Sequence, residues 1–275
     1  MKKSCVIGWP IEHSRSPLIH QYWLKKYGID GDYQKLAVKP ENLFHFIHSL
    51  QKTGYVGCNV TIPHKEKVLE IVNVQDLLTI SIGAVNTVYI ENNKLYGLNT
   101  DGYGFISNLK TGYQDIQFEN MNCVLIGAGG ACRAIIAALL AEKVARITLV
   151  NRTIKKSEVL ANHFGKQVYY APLEDLNQII STADLLVNTT SLGMSGQPPL
   201  KIDLEKLPQK CVVTDIVYAP LETDLLRQAK LRGNPVVDGL GMLLHQAAPG
   251  FEKWFGVFPE VTRQLRNLII KDLGV

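Results

Sequence analysis

The sequence has little of what secreted, membrane-bound or zinc-stabilised proteins contain. Only five of its 275 residues are cysteine, an odd number spread from Cys5 to Cys211, which excludes a disulfide framework and a cysteine-rich zinc site. No segment approaches the roughly 20 consecutive apolar residues that span a bilayer. The lysines at the start precede too short an apolar stretch for a signal peptide. We therefore expect a cytoplasmic protein whose thiols are buried and reduced.

A strong excess of charge of either sign is also missing. The formal net charge is +4, and the basic residues are scattered, with pairs such as Lys25-Lys26 as the longest runs. This distribution is too thin for a nucleic-acid or membrane surface and suits a small anionic ligand better. We therefore expect a small-molecule substrate, no nucleic acid and no membrane as partners. The residues leave open whether the chain is a monomer or a homodimer.

What the sequence does contain is an alternation of short apolar runs with helical patterns, which is typical of an α/β protein with a mostly parallel sheet. Prolines at the start of two helical patterns suit a first helical turn. The predicted strands are 4–8, 33–37, 55–59, a hairpin of 84–90 with 94–99, and then 123–127, 146–151, 167–170, 184–188 and 212–216; predicted helices include 17–27, 40–52 and a terminal pair that ends with 260–273.

A domain boundary is predicted in the polar, turn-rich segment Thr111 to Asn122. The strands and helices that follow it resemble a doubly wound, Rossmann-like nucleotide-binding sheet. The fold class we predict is therefore α/β with two domains, an N-terminal α/β substrate domain and a Rossmann-like nucleotide-binding domain.

The second domain opens with a strand that runs into Gly127-Ala128-Gly129-Gly130 and then into an alanine-rich helix. This is the context of a dinucleotide fingerprint: Gly127 permits the tight turn, and Gly129 lets the backbone approach a pyrophosphate at the helix start. On its own, the pattern is equally compatible with a tight turn that binds nothing.

The next strand ends in Asn151-Arg152-Thr153, where a dinucleotide site chooses between cofactors. An acidic residue there would bond the ribose hydroxyls of NAD. Arg152, with Lys156 one turn along, offers cations to a ribose 2′-phosphate and favours NADP. The alternative is a solvated arginine at a strand end.

A third cofactor element is the run of small polar residues from Asn188 to Gly193, directly after another buried strand. Ligands in such sheets lie beyond the carboxyl ends of strands, so these groups can line the nicotinamide side. A Ser/Thr turn without a ligand explains the run about equally well.

Polar residues of the first domain stand where packing does not call for them. Ser14 and Ser16 lead into a helix, where hydroxyls and free amides either bind a carboxylate or cap the helix. A lysine beside an aspartate could protonate the alkoxide that forms when a ketone is reduced, although such residues more often make surface contacts. The remaining candidates are Asn59 and Thr61 on one strand face, Lys65 just beyond, Asn86 and Asp101.

Nine ordered motifs from about Val6 to Trp254 resemble the shikimate dehydrogenase family: SRSP, NVTIPHK, GAVNT, NTDG, GAGGA, NRT, NTTSLGM, DIVY and DGLGMLLHQA. The resemblance implies an NADP-dependent enzyme of aromatic amino-acid and chorismate biosynthesis that interconverts 3-dehydroshikimate and shikimate by hydride transfer, without a metal. It also implies a substrate-binding domain of 1–110 plus 240–275 and an NADP-binding domain of 111–239.

The family's functional residues carry over onto matching positions of this chain. Lys65 and Asp101 would be the catalytic pair. The substrate would contact Ser14, Ser16, Asn59, Thr61, Lys65, Asn86, Asp101, Tyr218 and Gln246. NADP would contact Gly127, Ala128, Gly129, Gly130, Ala131, Asn151, Arg152, Thr153, Lys156, Thr189, Thr190, Ser191, Ile216 and Gly239.

Three positions depart from many relatives, and two other functions stay open. Cys132 replaces a small alanine, Lys156 replaces an arginine and so offers a point charge instead of a fork, and Leu77 replaces an acid and is given no cofactor role. One alternative is a quinate/shikimate dehydrogenase of broader substrate and cofactor use, against which Arg152 and the two serines argue. The other is a ligand-sensing relative without turnover, which would need neither Lys65 nor Asp101.

Overall fold

A computed structural model describes residues 1–274, which form two compact units. Unit 1 comprises residues 1–101 and 244–274, and unit 2 comprises residues 102–243. The two boundaries between the units are therefore at 101/102, at the start of the helix Asp101–Gly112, and at 243/244, inside the helix Leu240–Phe255. The domain boundaries expected from the sequence are at 110/111 and 239/240. Residue 275, which the sequence assigns to the first domain, lies outside the described residues.

Unit 1 is built on a five-stranded sheet in the order β2-β1-β3-β4-β5. β1, β2 and β3 are parallel, whereas β4 runs antiparallel to both β3 and β5. The strands are β1 (Lys2–Gly8), β2 (Gly31–Ala37), β3 (Tyr55–Val60), β4 (Thr87–Glu91) and β5 (Lys94–Leu98). The helices around them are α1 (Ser16–Lys26), a short 3-10 helix (Pro40–Asn42), α2 (Leu43–Ser49), α3 (Lys65–Leu69) and α4 (Leu77–Ile82).

The strand directions bring three chain segments to one edge of this sheet. Asn59 of β3 pairs with Thr87 of β4, which pairs with Leu98 of β5. Because β4 is antiparallel, its first residue lies beside the carboxyl ends of β3 and β5. The segments that follow β3, precede β4 and follow β5 therefore meet at this edge.

The chain end packs on unit 1 through α10 (Leu240–Phe255) and α11 (Arg263–Leu273). The Trp254 indole donates a hydrogen bond to the carbonyl of Val88 over 2.9 Å. α11, capped by the Thr262 hydroxyl, packs against α1, and the Tyr22 hydroxyl lies 2.9 Å from that of Thr262. Burial of Trp254 fixes α10 to the N-terminal sheet, and the contact with α1 holds α11.

Unit 2 is a six-stranded parallel sheet in the order β11-β10-β9-β6-β7-β8. The first strand, β6, is central, and the chain winds outward from it in both directions, which creates a topological switch point between β6 and β9. The strands are β6 (Asn122–Ile126), β7 (Arg146–Val150), β8 (Val168–Ala171), β9 (Leu185–Asn188), β10 (Val212–Asp215) and β11 (Val236–Val237). The helices are α5 (Asp101–Gly112), α6 (Gly130–Ala141), α7 (Ile154–Phe164), α8 (Leu176–Ile179) and α9 (Asp224–Leu231), with 3-10 helices at Leu173–Asp175 and Ile180–Thr182.

The core of unit 2 covers both faces of this sheet. Cys123 and Leu125 of β6 belong to one buried cluster, whereas Val124 and Ile126 belong to the cluster on the other face. Parallel sheets need such two-sided cover, and this is why their strands read as continuous apolar runs.

The predicted α/β class, the doubly wound sheet and the β4–β5 hairpin are confirmed. The elements that were not predicted include α5 and the two-residue β11. The helical pattern from Pro40 was predicted to continue to Lys52, but α2 ends at Ser49 and turns follow from Leu50 to Gly54. Gly54 has a φ of 79°, a conformation that favours glycine and ends the local helical geometry.

Among residues 1–274, no helix is both long enough and apolar enough to cross a membrane.

Candidate active site

Lys65 and Asp101 form the centre of the site in unit 1. Lys65 begins α3 beyond β3, and Asp101 follows β5, so both lie at the shared sheet edge. The Lys65 ammonium donates to Asp101 Oδ2 over 2.6 Å. The side chains are 29% and 14% exposed, respectively, so the pair is shielded on the protein side but remains open to a small ligand.

Asn86 holds the Asp101 carboxylate from the other side. Its amide nitrogen donates to Asp101 Oδ1 over 2.8 Å and to the Thr100 hydroxyl over 3.0 Å. Its amide oxygen accepts from the Thr100 backbone N–H over 2.9 Å and from the Thr87 hydroxyl over 2.9 Å. The amide orientation is thereby fixed, and Asp101 is positioned for Lys65 by an uncharged donor.

Asn59 continues the same hydrogen-bonded network toward the interior. Its amide nitrogen donates to the Thr87 hydroxyl over 3.1 Å, and its oxygen accepts from the Tyr33 hydroxyl over 2.5 Å. Tyr33 is fully buried, and burial raises the pKa of its phenol well above the usual range. It therefore acts as a permanent donor to Asn59.

The predicted serines lie at the start of α1. The Ser14 hydroxyl accepts from the Ser16 backbone N–H over 3.3 Å, whereas α1 has no side-chain cap at its N-cap residue, Arg15. Ser16 itself is the first residue of α1 and is buried there.

The other predicted substrate residues occupy different elements. Thr61 follows β3, and its methyl group lies close to Gly8: a Cβ at Gly8 would approach it to 2.6 Å. Gln246 lies half-buried on α10 in unit 1, whereas Tyr218 follows β10 in unit 2. The structure thus joins Asn59, Asn86, Asp101 and Lys65 in one network, places Ser14 and Ser16 at the start of α1, and places Tyr218 in the other unit.

The glycine turn of unit 2 lies between β6 and α6 at the switch point. Gly127 has a φ of 118°, and a Cβ there would approach the Thr189 hydroxyl to 2.5 Å. In the described chain, a Cβ at Gly129 or Gly130 would meet no atom within 4 Å. The backbone at Gly129 and Gly130 is therefore open to a ligand at the N-terminus of α6, where free amides attract a phosphate.

Cys132 adds to the rigidity of this turn. It is fully buried, and its thiol lies 3.2 Å from the Gly127 carbonyl, to which it donates. Burial raises the pKa of the Cys132 thiol to about 12, so it stays protonated.

The residues predicted to select the cofactor follow β7. The Asn151 amide donates to the Thr153 carbonyl over 2.9 Å and shapes the turn before α7. Arg152, Thr153 and Lys156 are exposed there. These residues place two cations and a hydroxyl near the carboxyl end of β7, which is the neighbour of β6. Such groups fit a phosphate of a nucleotide that is bound at the glycine turn.

The loop after β9 holds the third group of residues that were predicted to contact the cofactor. The Thr189 hydroxyl donates to the Ile126 carbonyl over 2.8 Å, so this loop is attached directly to the end of β6. Thr190 is half-buried and Ser191 exposed beyond it. Ile216 and Gly239 lie close together, since a Cβ at Gly239 would approach the Ile216 backbone to 2.5 Å.

Sequence reasoning missed the residues that hold the others in place, chiefly Tyr33, Thr87, Thr100 and Asp215. Each is a buried polar residue next to, or inside, an apolar strand. Buried polar groups in such positions require partners, and this is the signal that could have singled them out.

Three family models match the chain. Their descriptions are shikimate dehydrogenase substrate binding domain for residues 6–88, shikimate/quinate 5-dehydrogenase for residues 110–198, and shikimate 5'-dehydrogenase C-terminal domain for residues 239–261. A shikimate dehydrogenase (NADP(+)) of Rhodopseudomonas palustris strain TIE-1 is 50% identical over 273 residues, which cover 99% of this chain and 98% of the relative. The chain belongs to the shikimate dehydrogenase family.

Solved structures of the family have the same fold. A shikimate dehydrogenase crystallised with NADP+ superposes with a TM-score of 0.90 at 37% identity, over 99% of this chain and 96% of that one. A quinate dehydrogenase from Corynebacterium glutamicum in complex with NAD also gives a TM-score of 0.90, at 27% identity over 98% of this chain and 100% of that one. The expected resemblance is therefore confirmed, with greater identity to the NADP(+)-named relative than to the NAD-bound quinate dehydrogenase.

Proposed function

We propose that this chain is an NADP-dependent shikimate dehydrogenase that interconverts 3-dehydroshikimate and shikimate in aromatic amino-acid biosynthesis. The observation that carries the proposal is the contact of 2.6 Å between the Lys65 ammonium and Asp101 in a chain of this family. A sensor without turnover would need no such proton donor. The relative that is 50% identical is named for the same activity and cofactor.

The residues of unit 2 fit NADP, and we propose unit 2 as the cofactor-binding unit. Gly127 to Ala131 would hold the pyrophosphate, because two of these glycines leave the backbone open. Arg152, Lys156, Asn151 and Thr153 would hold the 2′-phosphate and ribose. Thr189, Thr190, Ser191, Ile216 and Gly239 would lie along the remainder of the dinucleotide.

We assign the proton chemistry to unit 1, the proposed substrate-binding unit. When bound, NADPH supplies the hydride for the C3 carbonyl carbon of dehydroshikimate. Lys65 donates a proton to the carbonyl oxygen as charge develops on it, and the same amine takes that proton back in the reverse direction. Asp101 keeps the ammonium oriented, and two fixed partners, Lys65 and Asn86, hold Asp101 itself.

The substrate would be oriented by hydroxyl and amide groups around this pair. Ser14 and Ser16 would bind its carboxylate at the start of α1, and Asn59, Thr61, Asn86, Asp101, Tyr218 and Gln246 would contact its ring hydroxyls. Groups held in place before the substrate binds lower the barrier by several kcal/mol in general, because little ordering remains to be done.

Two further assignments belong to the proposal. All five cysteines are unpaired and buried, as a reducing compartment allows, and we propose a cytoplasmic location. We also propose that the enzyme works as a monomer or a homodimer on a small-molecule substrate.

The decisive experiment is an absorbance assay of purified protein with shikimate or quinate, each against NADP or NAD. The expected result is rapid NADPH formation from shikimate with NADP and slower reaction in the other three combinations. Equal rates with quinate and NAD would favour the broader quinate/shikimate enzyme, and failure to react with any pair would contradict an enzymatic role.

A further inference from the structure

Asp215, at the end of β10, is a buried carboxylate without a part in the chemistry described above. It is 1% exposed, and no cation is among the partners recorded for it in residues 1–274. A buried charge of this kind is costly unless every oxygen is hydrogen-bonded. What Asp215 binds therefore indicates why it is there.

Three donors from three segments converge on this carboxylate. Oδ1 accepts from the Asn188 amide over 3.0 Å and from the Val217 backbone N–H over 2.9 Å. Oδ2 accepts from the Thr223 hydroxyl, which caps α9, over 2.8 Å. Asp215 therefore links the end of β9, the turn after β10 and the start of α9.

Asn188 carries this link into the proposed cofactor loop. Its amide nitrogen also donates to the Leu192 carbonyl over 3.0 Å, and its oxygen accepts from the backbone N–H and the hydroxyl of Thr190 over 3.0 and 2.7 Å. The loop so shaped packs on the glycine turn, because a Cβ at Gly127 would approach the Thr190 methyl to 2.9 Å.

We propose that Asp215 is a positioning residue for NADP: through Asn188 it sets the 189–192 loop against the glycine turn, and through Val217 it sets the turn that contains Ile216. This inference rests on the proposed function of unit 2. Burial raises the pKa of the Asp215 carboxyl, and the three hydrogen bonds oppose that shift.

The test measures NADPH binding to the full-length protein by fluorescence titration, with the Michaelis constant for shikimate measured in parallel. Asp215→Ala is expected to raise the Kd for NADPH by about tenfold or more, because hydrogen bonds to a charged acceptor are lost. Asp215→Asn should restore the Kd to within about threefold, since an amide oxygen still accepts from Asn188 and Val217 while Thr223 can turn its hydroxyl to accept. The Michaelis constant for shikimate should change little in both.

A matched control lies at the opposite end of the same sheet. Asp184, just before β9, accepts from the Asn122 backbone N–H over 3.0 Å, and Asp184→Asn should bind NADPH like the unmodified protein. Asn188→Ala should also weaken NADPH binding, and the double variant should lose less than the sum of the two single losses, because both changes break one link.

Two outcomes overturn the inference. One is a Kd for NADPH within twofold of the unmodified value in folded Asp215→Ala. The other, which applies even if that variant does not fold, is normal NADPH affinity in Asn188→Ala. Absence of NADPH binding by the unmodified protein would instead contradict the proposed function itself.

Discussion

At the scale of single residues, Lys65 is the group whose loss should be felt in the chemical step. Lys65→Ala is expected to lower kcat by about 10² or more while changing the Michaelis constant for shikimate little, because the proton is needed only as the alkoxide forms. Steady-state assays in both directions measure this split.

The control for that variant is Lys67→Ala on the same helix. Lys67 is exposed and pairs with Glu70, the residue just after this helix, so its removal should leave kcat unchanged. Turnover of Lys65→Ala within a factor of a few of the unmodified enzyme would remove Lys65 from the mechanism.

Arg152 gives a residue-scale prediction about cofactor choice. Arg152→Ala should raise the Michaelis constant for NADPH far more than that for NADH, because only NADPH carries the 2′-phosphate. The measurement is a pair of cofactor titrations at saturating 3-dehydroshikimate. Lys166→Ala, an exposed cation beyond the end of α7, serves as the control, and parallel losses with both cofactors would rule out a phosphate contact for Arg152.

At the scale of elements, α1, β2 and α10 pack around a buried histidine. The His20 ring of α1 stacks on Tyr33 of β2 with centroids 4.0 Å apart and faces Phe251 of α10 at 5.8 Å. Burial lowers the pKa of His20 from 6.5 to about 3. His20 thus remains neutral in the folded state over a range where the unfolded chain protonates it.

The sign of the resulting pH dependence follows from this difference. Between pH 6.5 and about 3 the unfolded state binds a proton that the folded state does not, so the His20 contribution to stability falls as the pH falls. The slope approaches about 1.4 kcal/mol per pH unit. When the pH is lowered from 6.5 to 5, the unfolding free energy of both proteins should fall. The fall should be about 2 kcal/mol smaller for His20→Phe than for the unmodified protein, because the variant lacks the His20 contribution.

Urea unfolding at these two pH values measures the effect. His48→Gln, at an exposed position on α2, should keep the pH dependence of the unmodified protein. An unchanged pH dependence in folded His20→Phe would mean that His20 is protonated in the native state.

The elements also show where prediction from sequence succeeds. β6 with its glycine turn, β9 with its polar loop and the β4–β5 hairpin were found because their signals are local: a continuous apolar run, a glycine, a pair of turn asparagines. To predict that Lys65, Asn86 and Asp101 share one sheet edge, one must also know that β4 is antiparallel to its neighbours. The β4–β5 hairpin implies this direction, but the patterns of the other strands do not.

α5 was missed because its sequence argues against a helix. Gly102, Gly104 and Gly112 all have low helix propensity. The packing explains them: a Cβ at Gly102 would approach the Ala134 carbonyl to 3.0 Å and the Ala138 methyl to 2.9 Å on α6. Tertiary contact thus overrides local preference here. Tyr33 and Asp215 were missed because each has an amide partner distant in sequence, Asn59 and Asn188 respectively.

At the scale of the whole molecule, all five cysteines are buried in the two units, and this gives a probe of global opening. Cys5 and Cys58 lie in unit 1, whereas Cys123, Cys132 and Cys211 lie in unit 2. Burial raises the pKa of the Cys132 and Cys211 thiols to about 12. Since only the thiolate is nucleophilic, native thiols should resist alkylation until the unit that holds them opens.

NADPH should slow that labelling, because a ligand that binds only the folded state stabilises it by mass action. At a free NADPH concentration of 100 times Kd, the folded state is stabilised by about 2.7 kcal/mol. If opening and closing are fast compared with alkylation, the rate follows the population of the open form, and alkylation of the three unit 2 thiols should slow by about 100-fold. Mass spectrometry of each cysteine peptide gives the rates, and Cys5 and Cys58 report in the same sample whether unit 1 opens together with unit 2. If the unit 2 thiols react at the rate of the urea-unfolded chain, or equally fast with and without saturating NADPH, then these thiols are not protected by a cofactor-binding fold.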